Sequence, residues 1–404
     1  MPQIAGLRGV LPEPSKLKDV IAGLAGAGPG GAGPGGAGPG GAGIDVVKGL
    51  AAGTLVRDAG RAVYRYHLVF ADPTTGRALV RKMFVCAARL EPWSDPLIRP
   101  HEATTPAATG AALAAVRTTR LVSAPVLAGY RDAATEVERL FRGVDGERPI
   151  LEVTTPDRTV HRVWRVQSAE LFGKLRHQLA PKKLFVLDGH DRYEALLAYR
   201  DELAAKQPLA MYSSANYALV CLVDLADPTL IVAPRHRVIR GAAPSQAALA
   251  TARKHFIIDK LAGAARDLGK QRAALADTIA HQPAFVVSWA GEPDAWKLTL
   301  SPDVSLVAEG ISVHRAVQKI DPVVADQLFV ARAMPGARLE PVTSAEDALA
   351  GKPDALILMR PLTIEQITHT AELGQVMPAG STAFAPPLVA GLVSAVIDPD
   401  EDLV

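Results

Sequence analysis

The stretch LFVLDGHDRYEALLAYR, residues 184–200, decides how this chain is read. Leu184 to Leu187 have the length and content of a buried strand. Asp188-Gly189 interrupts the run, and from His190 onward a helix-like apolar pattern follows. A strand, a bend and a helix therefore follow one another without a linker. The bend places two acids, a histidine and an arginine at a helix start, where backbone N–H groups carry partial positive charge. Two readings stand side by side. In the first the bend holds an anion. Gly189 lets the backbone approach a ligand, and Arg192 forks onto phosphate oxygens. His190 is a donor, a proton shuttle or a metal ligand, and Asp188 a general base or, with a second carboxylate, a Mg²⁺ ligand. In the second reading Asp191 is a helix N-cap, Glu194 completes a capping-box-like pair, and Arg192 meets a surface acid.

The composition bounds the rest. At 404 residues the chain is long enough for two or three domains. It carries 44 Lys and Arg against 42 Asp and Glu, a net charge of +2, so it has no general attraction to nucleic acid or to a membrane surface. The two cysteines, Cys86 and Cys221, lie in apolar runs and make neither a disulfide framework nor a metal site. No signal peptide is recognisable, and no apolar stretch reaches the roughly 20 residues of a membrane helix. A reduced, cytoplasmic setting is expected.

GAGPG repeats from Gly26 to Gly40. Glycine frees the backbone and proline blocks ladders, so residues 26–43 are expected to be a flexible loop within an N-terminal segment 1–60. AVYRYHLVF (62–70) and ALVRKMFVCAARL (78–90) form a predicted hairpin. A Pro/Thr-rich loop (94–110) precedes a predicted helix at 111–122. A strand (123–130), a helix (132–144), a hairpin (149–166) and a helix capped by Ser168 lead to the opening stretch. SANYALVCLVDL (214–225) is almost wholly apolar and is expected at the centre of a sheet. A boundary near residue 243 separates a region 61–243 from a C-terminal α/β domain, 244–404. There, 242–282 is rich in helix formers, AFVVSW and AWKLTL make a hairpin, and TIEQITHTAELG is a helix closed by Gly374. A final strand is expected at 388–397. The fold class is α/β, mixed α+β.

DGHDRYEALLAYRDEL resembles the DGHHRYE motif of the bacterial family called domain of unknown function 1015. RPHEATTP (99–106), SANYALVCLVDLADPTLIVAPRHRVI (214–239) and GQVMPAGSTAFAPPLVAGLV (374–393) are similar to further segments of that family, in the same order. The family is in turn similar to the ParB/sulfiredoxin superfamily, so the resemblance implies a ParB/sulfiredoxin-like core. It also implies a nucleotide-phosphate site at Gly189, His190 and Arg192. The sequence departs from the family pattern at Asp191, where a second histidine is usual. It departs again at Gly380 and Pro387, where lysines are usual, and it lacks the N-terminal Ala-Pro-Pro-Tyr-Asp segment.

Four further groups are candidates. His101-Glu102 is a carboxylate base or metal ligand near the phosphate site, or a solvated loop pair. Arg117 and Arg120 form an anion clamp or a solvated helix face. His236-Arg237, with Arg235, is a second phosphate contact or a charged strand end. Ser381-Thr382 presents hydroxyls and N–H groups to a ligand, or forms a tight turn. Zinc-ligand spacing, a Gly-x-x-x-x-Gly-Lys-Ser/Thr loop and a Gly-x-Gly-x-x-Gly turn after a strand are all missing.

By superfamily analogy, the resemblance implies phosphoryl transfer from a nucleotide (ATP/ADP or CTP), with Mg²⁺, to a small hydroxy compound such as serine. In that scheme Gly189, Asp191, Arg192, His236 and Arg237 hold the nucleotide. Asp188, His190 and Glu102 carry the chemistry, Asp188 holds the metal, and His101, Arg120, Ser381 and Thr382 hold the acceptor. The alternative is a non-catalytic, nucleotide-responsive binding protein. A ParB-like nucleic-acid-associated protein is the third reading. A homo-oligomer is compatible with all three.

Overall fold

The computed structural model describes residues 3–17, 19–20, 46–73, 75–279 and 282–403. The GAGPG segment lies outside them. The chain divides into two compact units. The first comprises Met1–Pro100, Thr104–Ile231 and Phe384–Val404; the second comprises His101–Ala103 and Val232–Ala383.

The first unit is built on one mixed sheet with helices. Its strands are β1 (Ile4–Ala5), β2 (Val63–Ala71), β3 (Ala78–Arg89), β4 (Ile98–Arg99), β5 (Val126–Tyr130), β6 (Leu151–Thr154), β7 (Val160–Val166), β8 (Leu184–Asp188) and β9 (Tyr217–Asp224). They lie in the order β4-β8-β5-β9-β3-β2-β7-β6, with β1 also paired to β3. The expected hairpin forms: Tyr64 faces Val85 and Ala71 faces Ala78. β9 is central as its apolar content predicts, parallel to β5 on one side and antiparallel to β3 on the other. Cys86 and Cys221 are buried and unbonded, and burial pushes both thiols up.

Three helices matter for the candidate site: α1 (Pro106–Thr119), α2 (Ala169–Leu179) and α3 (His190–Ala204). Ser168 caps α2 by accepting from Leu171 N–H, as read. Helix α1 starts five residues earlier than its expected span. Thr105 caps it through Ala108 N–H and Pro106 fills its first turn. That Thr-Pro pair is a helix-start signal that a Pro/Thr-rich neighbourhood disguises as loop.

An ion cluster around the buried Arg65 ties the sheet to the helical segment that follows β5. Arg65 on β2 reaches Asp145 through Nε (2.8 Å) and Nη2 (3.1 Å) and also bonds Glu138. Lys82 Nζ lies 2.8 Å and His67 Nε2 3.1 Å from the Asp145 carboxylate. The chain returns to this unit after residue 383. Ala395–Val396 pair with Leu121–Val122, and the fully buried Arg81 donates to the carbonyls of Thr229, Ala385 and Pro386.

The second unit holds an antiparallel sheet. Its strands are β10 (His236–Arg240), β11 (Phe256–Leu261), β12 (Ala284–Trp289), β13 (Ala295–Leu300), β14 (Arg338–Val342) and β15 (Ala355–Leu358), in the order β11-β13-β12-β15-β10-β14. Because strand side chains alternate, both faces bury apolar groups. Phe285, Val287 and Ile357 enter one cluster, and Val286, Leu356 and Leu358 the other. Helices α4 (Ser245–Ala252), α5 (Leu268–Ala276) and α6 (Ile364–Glu372) belong to this unit, together with a π-helical stretch, Val324–Val330. Thr363 and Gln366 form a capping box at α6, and Gly374 follows it at φ +65°.

Two expectations are corrected here. The helix-rich reading of 242–282 conceals β11, a six-residue strand, FIIDKL, too short to show a period of its own. The final strand at 388–397 shrinks to Ala395–Val396, because Gly391 turns the backbone to φ +83° within the apolar run.

Candidate functional site

The 188–192 bend is a strand-to-helix turn of the first unit. Leu184 to Leu187 are 1–2% exposed, and burying side chains of this kind contributes about 2 kcal/mol each. The end of β8 is thereby fixed, with a register shift between Val186 and Asp188 against β5. Gly189 takes φ +88°, ψ 30°, a left-handed conformation open to glycine, and α3 begins at once with Tyr193 N–H on the Gly189 carbonyl. The Arg192 guanidinium folds back over this glycine. A Cβ placed at Gly189 would lie 2.6 Å from Arg192 Nη2 and 2.9 Å from its Cζ. Nη2 donates to Asp188 Oδ2 at 3.0 Å and to the Pro125 carbonyl at 3.3 Å. Asp188 is the more open partner, at 38% side-chain exposure against 15% for Arg192.

Asp191 does not cap its own helix, and no capping box forms with Glu194. The N-cap position belongs to Gly189, and Asp191 sits in the first turn. Its Oδ1 accepts instead from Thr105 N–H (3.1 Å) and Thr109 Oγ1 (3.4 Å), joining the starts of α1 and α3. Burial raises its carboxyl, opposed by those two donors and by Arg192. His190 is buried. Tyr193 anchors the same turn from beneath: its hydroxyl accepts from Glu91 N–H (2.8 Å) and donates to the Glu91 carbonyl (2.9 Å), with Trp93 stacked on its ring.

The second unit assembles another group. His101 and Glu102 are buried rather than solvated, at 0% and 8% exposure. Glu102 forms a parallel bridge with Met377, and its carboxylate accepts from the N–H groups of Gly380, Ser381 and Thr382 and from the Thr382 hydroxyl. Burial pushes the Glu102 carboxyl up, while Thr382, Gly380 and Arg235 pull it down. His101 Nε2 lies 2.8 Å from the same Thr382 hydroxyl. Arg237 is 1% exposed, bonded to both oxygens of Asp326 and to the Gly380 carbonyl. His236 accepts Met359 N–H on Nδ1. Both side chains of the pair expected to reach phosphate are thus taken up inside their own unit. Arg120 ends α1 in a left-handed conformation, its side chain exposed, and Arg117 pairs with Glu202.

The expected residues therefore fall into two sets. Asp188, Gly189, His190, Asp191 and Arg192 form one in the first unit; His101, Glu102, Ser381, Thr382 and Arg237 form the other in the second. Asp326 escaped sequence reading because it lies in a π-helical stretch, whose period matches no helix template. Glu91 and Pro125 contribute through backbone atoms, which leave no residue-type signal. As a metal ligand, Asp188 is already faced by the Arg192 cation, and no cluster of three or more His, Cys, Asp or Glu suited to a metal occurs among the described residues. The turn by itself does not fit a cation.

Residues 46–322, more than half of the chain, match the family described as protein of unknown function (DUF1015). The chain belongs to that family. No curated protein matches it. Among solved structures, this DUF1015 protein is similar to a free serine kinase in complex with AMP, at 13% identity and a TM-score of 0.41, over 76% of this chain and 90% of that one. It is also similar to SbnI with a C-terminal truncation from Staphylococcus aureus, at 12% identity and a TM-score of 0.39, over 79% and 90%. A conserved hypothetical protein from Pyrococcus furiosus matches at 13% identity and a TM-score of 0.37, over 72% and 89%. No helix among the described residues is long and apolar enough to cross a membrane.

The DUF1015 turn depends on the absence of a side chain at Gly189. Gly189→Ala is expected to cost about 1–2 kcal/mol in urea unfolding, from its left-handed φ and the displaced guanidinium. A change below 0.3 kcal/mol, on the order of measurement error, would show that the backbone relaxes there without strain.

Proposed function

We propose that this protein binds the phosphates of a nucleotide at the Gly189–Arg192 turn and transfers a phosphoryl group to a small hydroxy compound. The observation that carries the reading is the placement of Arg192. Its guanidinium lies over a left-handed glycine at the start of a 15-residue helix, next to a carboxylate that a phosphate can replace as its partner. A backbone without Cβ, the positive end of a helix and a fork of N–H donors are the parts from which phosphate sites are assembled. On this reading Gly189 and Arg192 hold phosphate, Asp188 and His190 move the proton, and residues 61–243 form a ParB/sulfiredoxin-like core. Asp191 is outside the chemistry, because it clamps Thr105 and Thr109. Catalysis here is positioning and charge neutralisation. No step is routed through Mg²⁺.

One observation favours the non-catalytic alternative. Glu102, the alternative base, already accepts four hydrogen bonds and is 8% exposed. Titration calorimetry with ATP, ADP and CTP, with and without Mg²⁺, tests both readings. Wild-type protein is expected to bind at least one of them, and Arg192→Ala to bind it about 10-fold or more weakly, as for the loss of one charge-assisted fork. Lack of binding by the wild type removes both readings; binding without phosphate transfer to serine or other hydroxy acceptors selects the second.

A further inference from the structure

The loop Pro378–Thr382 gathers donors and offers them to a single carboxylate. Glu102 Oε1 accepts Gly380 N–H at 2.7 Å, and Oε2 accepts Ser381 N–H at 3.1 Å, Thr382 N–H at 2.9 Å and Thr382 Oγ1 at 2.8 Å. Three successive backbone N–H groups can converge this way because Gly380 stands at φ +71°. Two bonds hold the loop in shape without using those donors. Ser381 Oγ donates to the Pro378 carbonyl at 2.6 Å, and Arg237 Nη1 donates to the Gly380 carbonyl at 2.8 Å. The Thr382 hydroxyl gives its proton to Glu102, so His101, 2.8 Å away, donates to it from Nε2.

We propose that Gly380–Thr382 is an oxyanion-binding nest whose occupant here is the chain's own Glu102 carboxylate, and that a compact carboxylate can take that occupant's place. The donors face inward with every acceptor supplied by the guest, so the guest is acceptor-only and negative. Ser381 and Thr382 are 3% and 6% exposed, so it is small. In the intact chain Glu102 and such a ligand compete for one set of donors, and entry of the ligand releases a carboxylate from its fixed position. This inference stands without the nucleotide reading, because it concerns other residues and another ligand.

Glu102→Ala empties the nest and leaves its N–H groups without an acceptor. Its thermal melt is expected to rise saturably with formate or acetate by at least about 3 °C, relative to chloride at equal ionic strength, while the wild type, whose own carboxylate competes, rises less. Phosphate is the second arm: a rise with phosphate and none with formate or acetate overturns the carboxylate assignment. A folded Glu102→Ala protein that responds to no anion, or a wild type that responds equally, overturns the nest itself. Where the variant is too unstable to melt, its refolding yield is read in acetate against chloride. Recovery in acetate alone supports the proposal; equal recovery, or none in either, overturns it.

Discussion

Replacing Arg237 with alanine is expected to lower the stability of the second unit by about 3–5 kcal/mol, a large fraction of what holds a domain folded. Arg237 is 1% exposed, and its guanidinium grips both Asp326 oxygens at 2.9–3.2 Å while also holding the Gly380 carbonyl. Taking the cation away leaves a carboxylate at 18% side-chain exposure without its partner, and the Gly380 carbonyl short of a donor. The loss is one of pairing rather than of volume, and a second variant separates the two. Arg237→Met with Asp326→Leu removes both charges and restores apolar packing, and is expected to recover most of the loss. Urea unfolding of the three proteins decides the matter. A single-variant loss under 1 kcal/mol, on the order of an ordinary surface change, would mean that water reaches Asp326 and that the pair is not buried in effect.

The second large effect is a loss of stability in mild acid. His67, His161 and His236 are 6%, 1% and 2% exposed, and burial pushes each of them down to about 4. For His67 the Asp145 carboxylate opposes that shift, and burial together with Arg65 outweighs it. His236 accepts Met359 N–H on Nδ1, and His161 shares its two ring nitrogens between the Tyr66 and Thr155 hydroxyls. Between pH 6.5, where an unfolded histidine titrates, and pH 4, the unfolded chain takes up protons that the folded chain refuses. Stability is therefore complete above pH 6.5 and falls as the pH drops toward 4, by up to about 3 kcal/mol for each histidine. His67 and His161 act on the first unit and His236 on the second. A further window opens lower down. Burial raises Asp145, but Arg65 and Lys82 outweigh it and hold the carboxyl at about 2, so its contribution is full above pH 3.8 and lost as the pH falls toward 2. Denaturant unfolding at pH 7.5, 6, 5 and 4.5 checks the first window. A flat profile across it means that these rings accept protons in the folded state.

The strand-turn-helix at 184–200 was legible because three local signals agree: a short apolar run, a glycine at the break and a helical period after it. The hairpins at 62–90 and 284–300 were legible because two strand-like runs flank a short break of turn residues. Asp191 was misread because a side chain at a helix start reaches Thr105, 86 residues away, as easily as its own N–H groups. The burial of His101 and Glu102 has no sequence signature, since a Pro/Thr-rich neighbourhood reads as solvent-facing whether or not a loop from residue 380 covers it. The fully buried arginines, Arg65, Arg81 and Arg237, escape for a related reason. Their partners are distant in sequence, and composition alone places charge outside.

Arg81 sets a condition on the order in which the chain can fold. Its guanidinium is satisfied by the carbonyls of Thr229, Ala385 and Pro386, so the core it penetrates stays incomplete until residues more than 300 positions downstream arrive. During synthesis at roughly 5–20 residues per second, the first unit waits many seconds with a buried-to-be cation partly unpaired while Val232–Ala383 are made. The core of the first unit therefore closes only once Phe384–Val404 have been made.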